Sequence, residues 1–135
     1  MKKVFLDAGY LVALEASDDQ HHREAREHWR AFTKQLPELV TTSFVFDEVV
    51  TFLNRRGRHE KAVEVGVRLL ESPSVRLIHV DEPLFEAGWS YFRNRADKRY
   101  SLTDCISFVV MEREGIQDAL CFDAHFEQAG FTRIP

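Results

Sequence analysis

Residues 4–14 read VFLDAGYLVAL, and the first part of that stretch, VFL (4–6), is a short β-type run that ends on an acid, Asp7. The same kind of run recurs along the chain as LVTT (39–42), VRLIHV (75–80), ALCF (119–122) and FTRI (131–134). Amphipathic stretches separate these runs. Ala25, Trp29, Phe32 and Leu36 recur at helical spacing, as do Ala62, Gly66, Val67 and Leu70, and then Leu84, Ala87, Gly88 and Tyr91. Short β-runs alternating with amphipathic helices predict an α/β fold, with a parallel sheet of about five strands joined by right-handed helical crossovers. Nothing in the 135 residues reads as a linker or a repeat, which predicts a single domain over residues 1–135.

Composition narrows the function. With 44% hydrophobic residues and eleven Phe, the chain can build a continuous core. No apolar run approaches the roughly 18 residues that span a bilayer, and MKKVFLDAG is not followed by a signal-length apolar stretch. The expectation is a soluble, cytoplasmic protein with no membrane partner. Cys105 and Cys121 sit among apolar neighbours and lack metal-ligand spacing, so both are read as core residues. Eighteen Lys and Arg against 22 Asp and Glu give a net charge of −4, which argues against a general nucleic-acid coat. It does not argue against an enzyme that gathers acids around a cation.

The acids are placed to do that. In an open α/β sheet, ligands bind beyond the carboxyl ends of the strands, close to where the strand order reverses. Asp7 ends the first β-run, Asp123 ends ALCF, and Glu48 lies on the helix that begins straight after LVTT. Asp104 opens the helix LTDCISFVVMERE, whose apolar Leu102, Cys105, Ile106, Val109 and Val110 fix its direction. Glu48 interrupts an apolar face formed by Phe44, Val45 and Phe52, whereas Asp47 shares a polar stripe with Ser43, Thr51 and Asn54. A carboxylate set against apolar side chains needs pairing, protonation or a metal. Each acid also has a plainer reading. Glu48 can pair with an arginine, Asp104 completes a Ser-x-x-acid cap with Ser101, and Asp7 and Asp123 suit turns after strands. The functional signal is the convergence of four. Such a cluster suits Mg²⁺ or Mn²⁺, which take hard oxygen ligands and activate water for phosphodiester hydrolysis.

At this point four motifs, VFLDAGYLVAL (4–14), TTSFVFDEVVTFL (41–53), SLTDCISFVVMEREG (101–115) and ALCFDAHFEQAGF (119–131), resemble those of the PIN-domain nucleases, in particular the standalone VapC-like ribonuclease toxins. The resemblance runs over nearly the whole chain. It implies a three-layer α/β/α fold and endoribonuclease activity dependent on Mg²⁺ or Mn²⁺, with Asp7, Glu48, Asp104 and Asp123 as catalytic and metal-binding acids. It also implies an RNA substrate, a homodimer and an antitoxin protein that blocks the acidic pocket. One departure concerns the residues after the first acid: the family usually carries hydroxyl or amide side chains where this chain has Ala8-Gly9. Thr103 can supply a hydroxyl beside Asp104, and Gly9 can let backbone N–H groups approach a phosphate.

Other residues are weighed against that site. Arg93, Arg95, Lys98 and Arg99 form a basic segment just before Asp104. Lys98 and Arg99 are read as RNA-backbone contacts, Tyr100 as a stacking surface, and a solvated loop is the plain alternative. His21, His22 and His28 lack metal-ligand spacing. His125, two residues after Asp123, can approach the pocket, but a surface or packing histidine is the preferred reading. Arg55, Arg56 and Arg58 complement the C-terminus of the Glu48 helix. Two other functions compete: a phosphatase using Asp7 as nucleophile, which lacks the usual second acid because that position is Gly9, and a non-catalytic module that binds RNA or protein through the same pocket.

Overall fold

The computed structural model describes residues 2–135. Strands β1 (Lys3–Leu6), β2 (Glu38–Thr42), β3 (Val75–Ile78), β4 (Asp118–Leu120) and β5 (Thr132–Ile134) form one sheet in the order β3-β2-β1-β4-β5, with every neighbouring pair parallel. The inner strands are buried continuously and not alternately: Val4, Phe5, Leu6, Leu39, Val40, Ala119 and Leu120 all lie in the core, as expected when helices cover both faces.

All five expected β-runs become strands, but two end early. β3 stops at Ile78 and not at Val80, because its neighbour β2 turns into a helix after Thr42, the partner of Ile78. β4 stops at Leu120, which pairs with Leu6, the last residue of β1. Asp123 therefore stands three residues beyond the tip of its strand.

Helices α1 (Ala8–Glu15) and α2 (His22–Phe32) connect β1 to β2, and α3 (Ser43–Arg55) and α4 (His59–Glu71) connect β2 to β3. Helices α5 (Glu82–Arg93) and α6 (Leu102–Glu114) lead back to β4, and the short α7 (His125–Gln128) precedes β5. Progress from β1 to β3 runs in one direction across the sheet and progress from β3 to β5 in the other. Right-handed crossovers then place α1–α4 on one face and α5–α7 on the opposite one. The result is a three-layer α/β/α architecture whose strand order reverses between β1 and β4.

Local sequence explains the helix starts. Asp7, Thr42, Asp81 and Ser101 each accept a hydrogen bond from the first turn of α1, α3, α5 and α6, and Gly115 closes α6 at φ 67°, a left-handed conformation that suits glycine. Of these caps, Asp7 is itself one of the acids, Ser101 is bonded to Asp104, and Thr42 opens the helix that carries Glu48. Helix α6 is buried continuously from Asp104 to Met111, pressed between sheet and α5. The close approach depends on Gly88 of α5, where an added Cβ would come within 2.3 Å of Ile106 Cγ1.

On α4 the packing face differs from the expected one. Ala62, Val65, Gly66 and Leu69 are buried, while Val67 and Leu70 are exposed. The docking of α3 sets this register, because the Phe46 ring sits directly over Gly66. Cys105 and Cys121 are both free and buried. Among the described residues, no helix is long and apolar enough to cross a membrane.

Candidate active site

The reversal point between β1 and β4 is where an α/β sheet offers a crevice, and three elements deliver acids there. Asp7 follows β1 directly and its backbone N–H donates to Leu120 O (3.1 Å), tying it to the end of β4. Thr41 Oγ1 donates to Leu6 O (2.8 Å), so β1 and β2 end in step and α3 starts at the same edge with Glu48 in its second turn. Asp104 comes from the opposite face of the sheet, in the first turn of α6.

Asp104 is the hub of this group. Its Oδ2 accepts the Ser101 N–H (3.1 Å), while Ser101 Oγ accepts the Asp104 N–H (3.0 Å), so the expected cap is fully formed. The cap does not remove the acid from the site. It fixes the carboxylate, which then bears electrostatically on both Asp7 and Glu48. The plain reading of Asp104 as a cap residue is realised without taking its carboxylate out of reach of the other acids. The plain reading of Asp123 is realised too: its Oδ1 accepts the His125 N–H (2.8 Å) in a tight turn.

Crowding shows in the proton affinities. Burial, followed by the nearby Asp104 charge, pushes the Asp7 carboxyl up to about 7, despite opposing hydrogen bonds from the Ala8 and Gly9 backbone. Desolvation by its surroundings also raises Glu48, with Asp104 and Asp47 adding to the effect, while a hydrogen bond from the Thr103 side chain acts against it. The Thr103 hydroxyl is thus beside Glu48. Glu48 itself is not sealed in an apolar face as expected: the buried stripe of α3 is Val45, Val49 and Leu53, and Glu48 flanks it at the open mouth of the site.

His125 is the residue that sequence reasoning undervalued, preferring a surface or packing role to an approach to the pocket. Its Nδ1 lies 3.0 Å from Asp104 Oδ2 and 3.1 Å from Asp123 Oδ2, bridging the third and fourth acids. Donor atoms of Asp104, Asp123 and His125 all lie within 4.8 Å of one another. Asp7 and Glu48 stand outside that tight group yet within electrostatic reach of Asp104. The signal available in sequence was the Asp-x-His spacing, which permits a side-chain-to-backbone turn that folds the ring back over the acid. An oxygen-rich donor set in which two carboxylates are pushed towards neutrality fits a hard divalent cation, which would relieve the repulsion.

Several expectations need correction. Gly9 N–H donates to Asp7 Oδ2 (3.3 Å) and is directed at the acid, not towards an incoming phosphate. Tyr100 is buried, packed on Phe108 and edge-on to His125 at 5.4 Å between ring centroids, so it offers no exposed stacking face. Lys98 and Arg99 are exposed. Arg56 and Arg58 pair with Asp18 (3.0 and 3.3 Å) in addition to closing α3. The other histidines have packing roles: His28 Nδ1 meets the Tyr10 hydroxyl (2.8 Å), His22 Nδ1 meets Ala13 O (2.8 Å), and His21 stacks on Phe122.

A parallel three-layer fold with acids gathered at its reversal point defines the class, and the PIN domain family model matches residues 4–132: the chain belongs to the PIN-domain family. Within it, the chain is 35% identical over 131 residues to the 23S rRNA-specific endonuclease VapC20 of Mycobacterium tuberculosis, in both the CDC 1551 and H37Rv strains, covering 97% of each protein. The crystal structure of M. tuberculosis VapC20, described as a sarcin-ricin loop cleaving toxin, superposes with a TM-score of 0.87 at 34% identity over 97% of this chain and 98% of that one. FitAcB from Neisseria gonorrhoeae shares the fold, with a TM-score of 0.66 at 15% identity over 98% of this chain and 96% of that one.

Proposed function

We propose that this chain is the toxin of a toxin–antitoxin pair, a metal-dependent endoribonuclease that hydrolyses RNA phosphodiester bonds at Asp7, Glu48, Asp104 and Asp123. The observation that carries the reading is the position of Asp104, which faces Asp7 and Glu48 on one side and reaches Asp123 through His125 on the other. Similarity to VapC20 along almost the whole chain supports RNA as substrate, and an exposed loop of 23S rRNA as the first RNA to test. A ribosomal RNA target, as VapC20 has, supports action in the cytoplasm.

Asp7, Glu48, Asp104 and Asp123 would hold Mg²⁺ or Mn²⁺, directly or through water. The cation supplies a water of lowered pKa and neutralises charge on the phosphate. Ser101 locks Asp104 through the cap, His125 keeps Asp104 and Asp123 together, and Thr103 steadies ionised Glu48. Lys98 and Arg99 contact the RNA backbone, which positions the strand without reading its sequence. The protein acts as a homodimer and is silenced by an antitoxin that covers the acidic pocket.

The test is cleavage of end-labelled single-stranded RNA and of a labelled 23S rRNA fragment, with Mn²⁺ and with EDTA. The reading expects internal cuts with Mn²⁺ and none with EDTA. Binding without cutting under both conditions makes the chain a non-catalytic module, and cleavage undiminished by EDTA removes the cation from the account.

A further inference from the structure

With Tyr100 buried, the exposed rings beside the basic segment are Trp89 and Phe92, one turn apart on α5 and stacked at 5.6 Å with an interplanar angle of 16°. They line an open groove of about 530 Å³ together with Arg93, Lys98, Arg99 and one edge of Tyr100. Between residues 87 and 101 the chain carries four cations, Arg93, Arg95, Lys98 and Arg99, against the single acid Asp97. Arg95 is engaged over the Tyr91 ring at 3.8 Å, and Lys98 lies a loose 3.9 Å from Asp97. Arg93 and Arg99 enter no ion pair among the described residues. The groove lies one side chain away from the acids, because Tyr100, whose edge lines it, packs edge-on against His125.

We infer that the groove formed by Trp89, Phe92 and the 93–100 loop is a stacking platform for an unpaired base of single-stranded RNA, with Arg93, Lys98 and Arg99 holding the flanking phosphates. The inference rests on the endoribonuclease reading and adds the surface that grips the substrate beside the cut. Exposed aromatic rings ringed by cations are what single-stranded nucleic acid requires: every base has a face to stack, and every linkage has a charge to neutralise. The charge balance selects this occupant over a second copy of the chain. A two-fold contact through the same patch would set its four cations against their own copies with only Glu86 and Asp97 per copy to offset them.

The experiment measures binding of a short fluorescein-labelled oligouridylate by anisotropy in EDTA, so that no turnover intervenes, for the wild type, W89A, W89F and K98A/R99A. W89A should weaken binding about ten-fold while leaving the salt slope unchanged, since stacking releases no counterion. W89F should retain most of the affinity. K98A/R99A should flatten the slope of log K against log salt by roughly 1.4, about 0.7 for each lost contact to a single strand. Wild-type affinity in W89A overturns the platform. So does loss of affinity that follows conversion of a dimer to a monomer in sedimentation, which would assign the face to a second copy. Failure of the wild type to bind RNA overturns the platform together with the RNA reading. RNA binding lost specifically in W89A, alongside a wild type that cuts nothing with Mn²⁺, supports the platform and removes the nuclease assignment alone.

Discussion

His125 Nδ1 lies 3.0 Å from Asp104 Oδ2, so a ring from the turn after β4 is held against the cap residue of α6. The same nitrogen is 3.1 Å from Asp123 Oδ2, and one hydrogen on Nδ1 can serve both carboxylates. In the metal-free protein this contact offsets repulsion between the two acids. His125→Ala should therefore lower the stability of the metal-free protein by about 1–2 kcal/mol, the size of a charge-assisted hydrogen bond at a half-buried position. Saturating Mn²⁺ should shrink that loss. Urea denaturation of both proteins with EDTA and with Mn²⁺ measures it, and an equal loss in both conditions would mean that His125 serves packing alone.

The raised Asp7 carboxyl predicts an unusual pH profile. Folded Asp7 titrates at about 7 against an ordinary 3.8, so between those values the native chain holds a proton that the unfolded chain has released. Stability from this group is then lost as pH rises from about 4 through 7, by up to about 4 kcal/mol. Asp7→Asn keeps an acceptor at the N-cap and removes the titration. The stability of the variant minus that of the wild type, both in EDTA, should grow from near zero at pH 4 to its full value above pH 8. A difference that stays flat over that range would show that Asp7 ionises normally.

Gly88 links packing to the site. A methyl group there meets Ile106 Cγ1 at 2.3 Å and the Ile106 backbone at 3.3 Å, so Gly88→Ala must push α6 away from α5. The expected destabilisation is about 1–3 kcal/mol, the range for overpacking a close contact. Because α6 carries Thr103 and Asp104, RNA cleavage in the folded variant should fall as well. Wild-type thermal stability together with wild-type cleavage would show that the helices part freely.

Much of this was legible in the sequence, for physical reasons that differ by residue. The three inner β-runs were readable because strands buried on both faces are apolar throughout, the edge runs β3 and β5 because β-branched and apolar residues still mark them, and the α3 and α6 starts because Thr42 and Ser101 carry cap chemistry. Strand ends were less so: β3 and β4 stop where their neighbours stop, which no local pattern records. The α4 face was misplaced because Val63, Val67 and Leu70 are as apolar as the residues that Phe46 selects for burial. His125 and Tyr100 were misjudged for one shared reason. They touch each other across 25 residues of chain, and only the tertiary fold exposes Trp89 while covering Tyr100.

The neighbours Asp47 and Glu48 separate the site from the solvated face of α3, since adjacent helical residues point about 100° apart. Added Mn²⁺ should raise the melting temperature of the wild type by mass action. Glu48→Gln should reduce that rise and, because desolvation disfavours ionised Glu48, also raise the melting temperature in EDTA. Asp47→Asn should respond to Mn²⁺ like the wild type. A thermal-shift titration of the three proteins decides the matter, and a response lost in Asp47→Asn but kept in Glu48→Gln would reverse the assignment.

The most direct test is the cleavage of labelled RNA by Asp104→Asn with saturating Mn²⁺. Asparagine preserves an oxygen for the Ser101 N–H and should keep α6 capped, so the circular dichroism spectrum should match the wild type. Loss of the charge that bears on Asp7, Glu48 and, through His125, Asp123 should reduce cutting by at least about a hundred-fold, the scale expected when one group of a catalytic cation site is removed. Cleavage at the wild-type rate by the folded variant would show that Asp104 is a helix cap and nothing more, and would contradict the four-acid site.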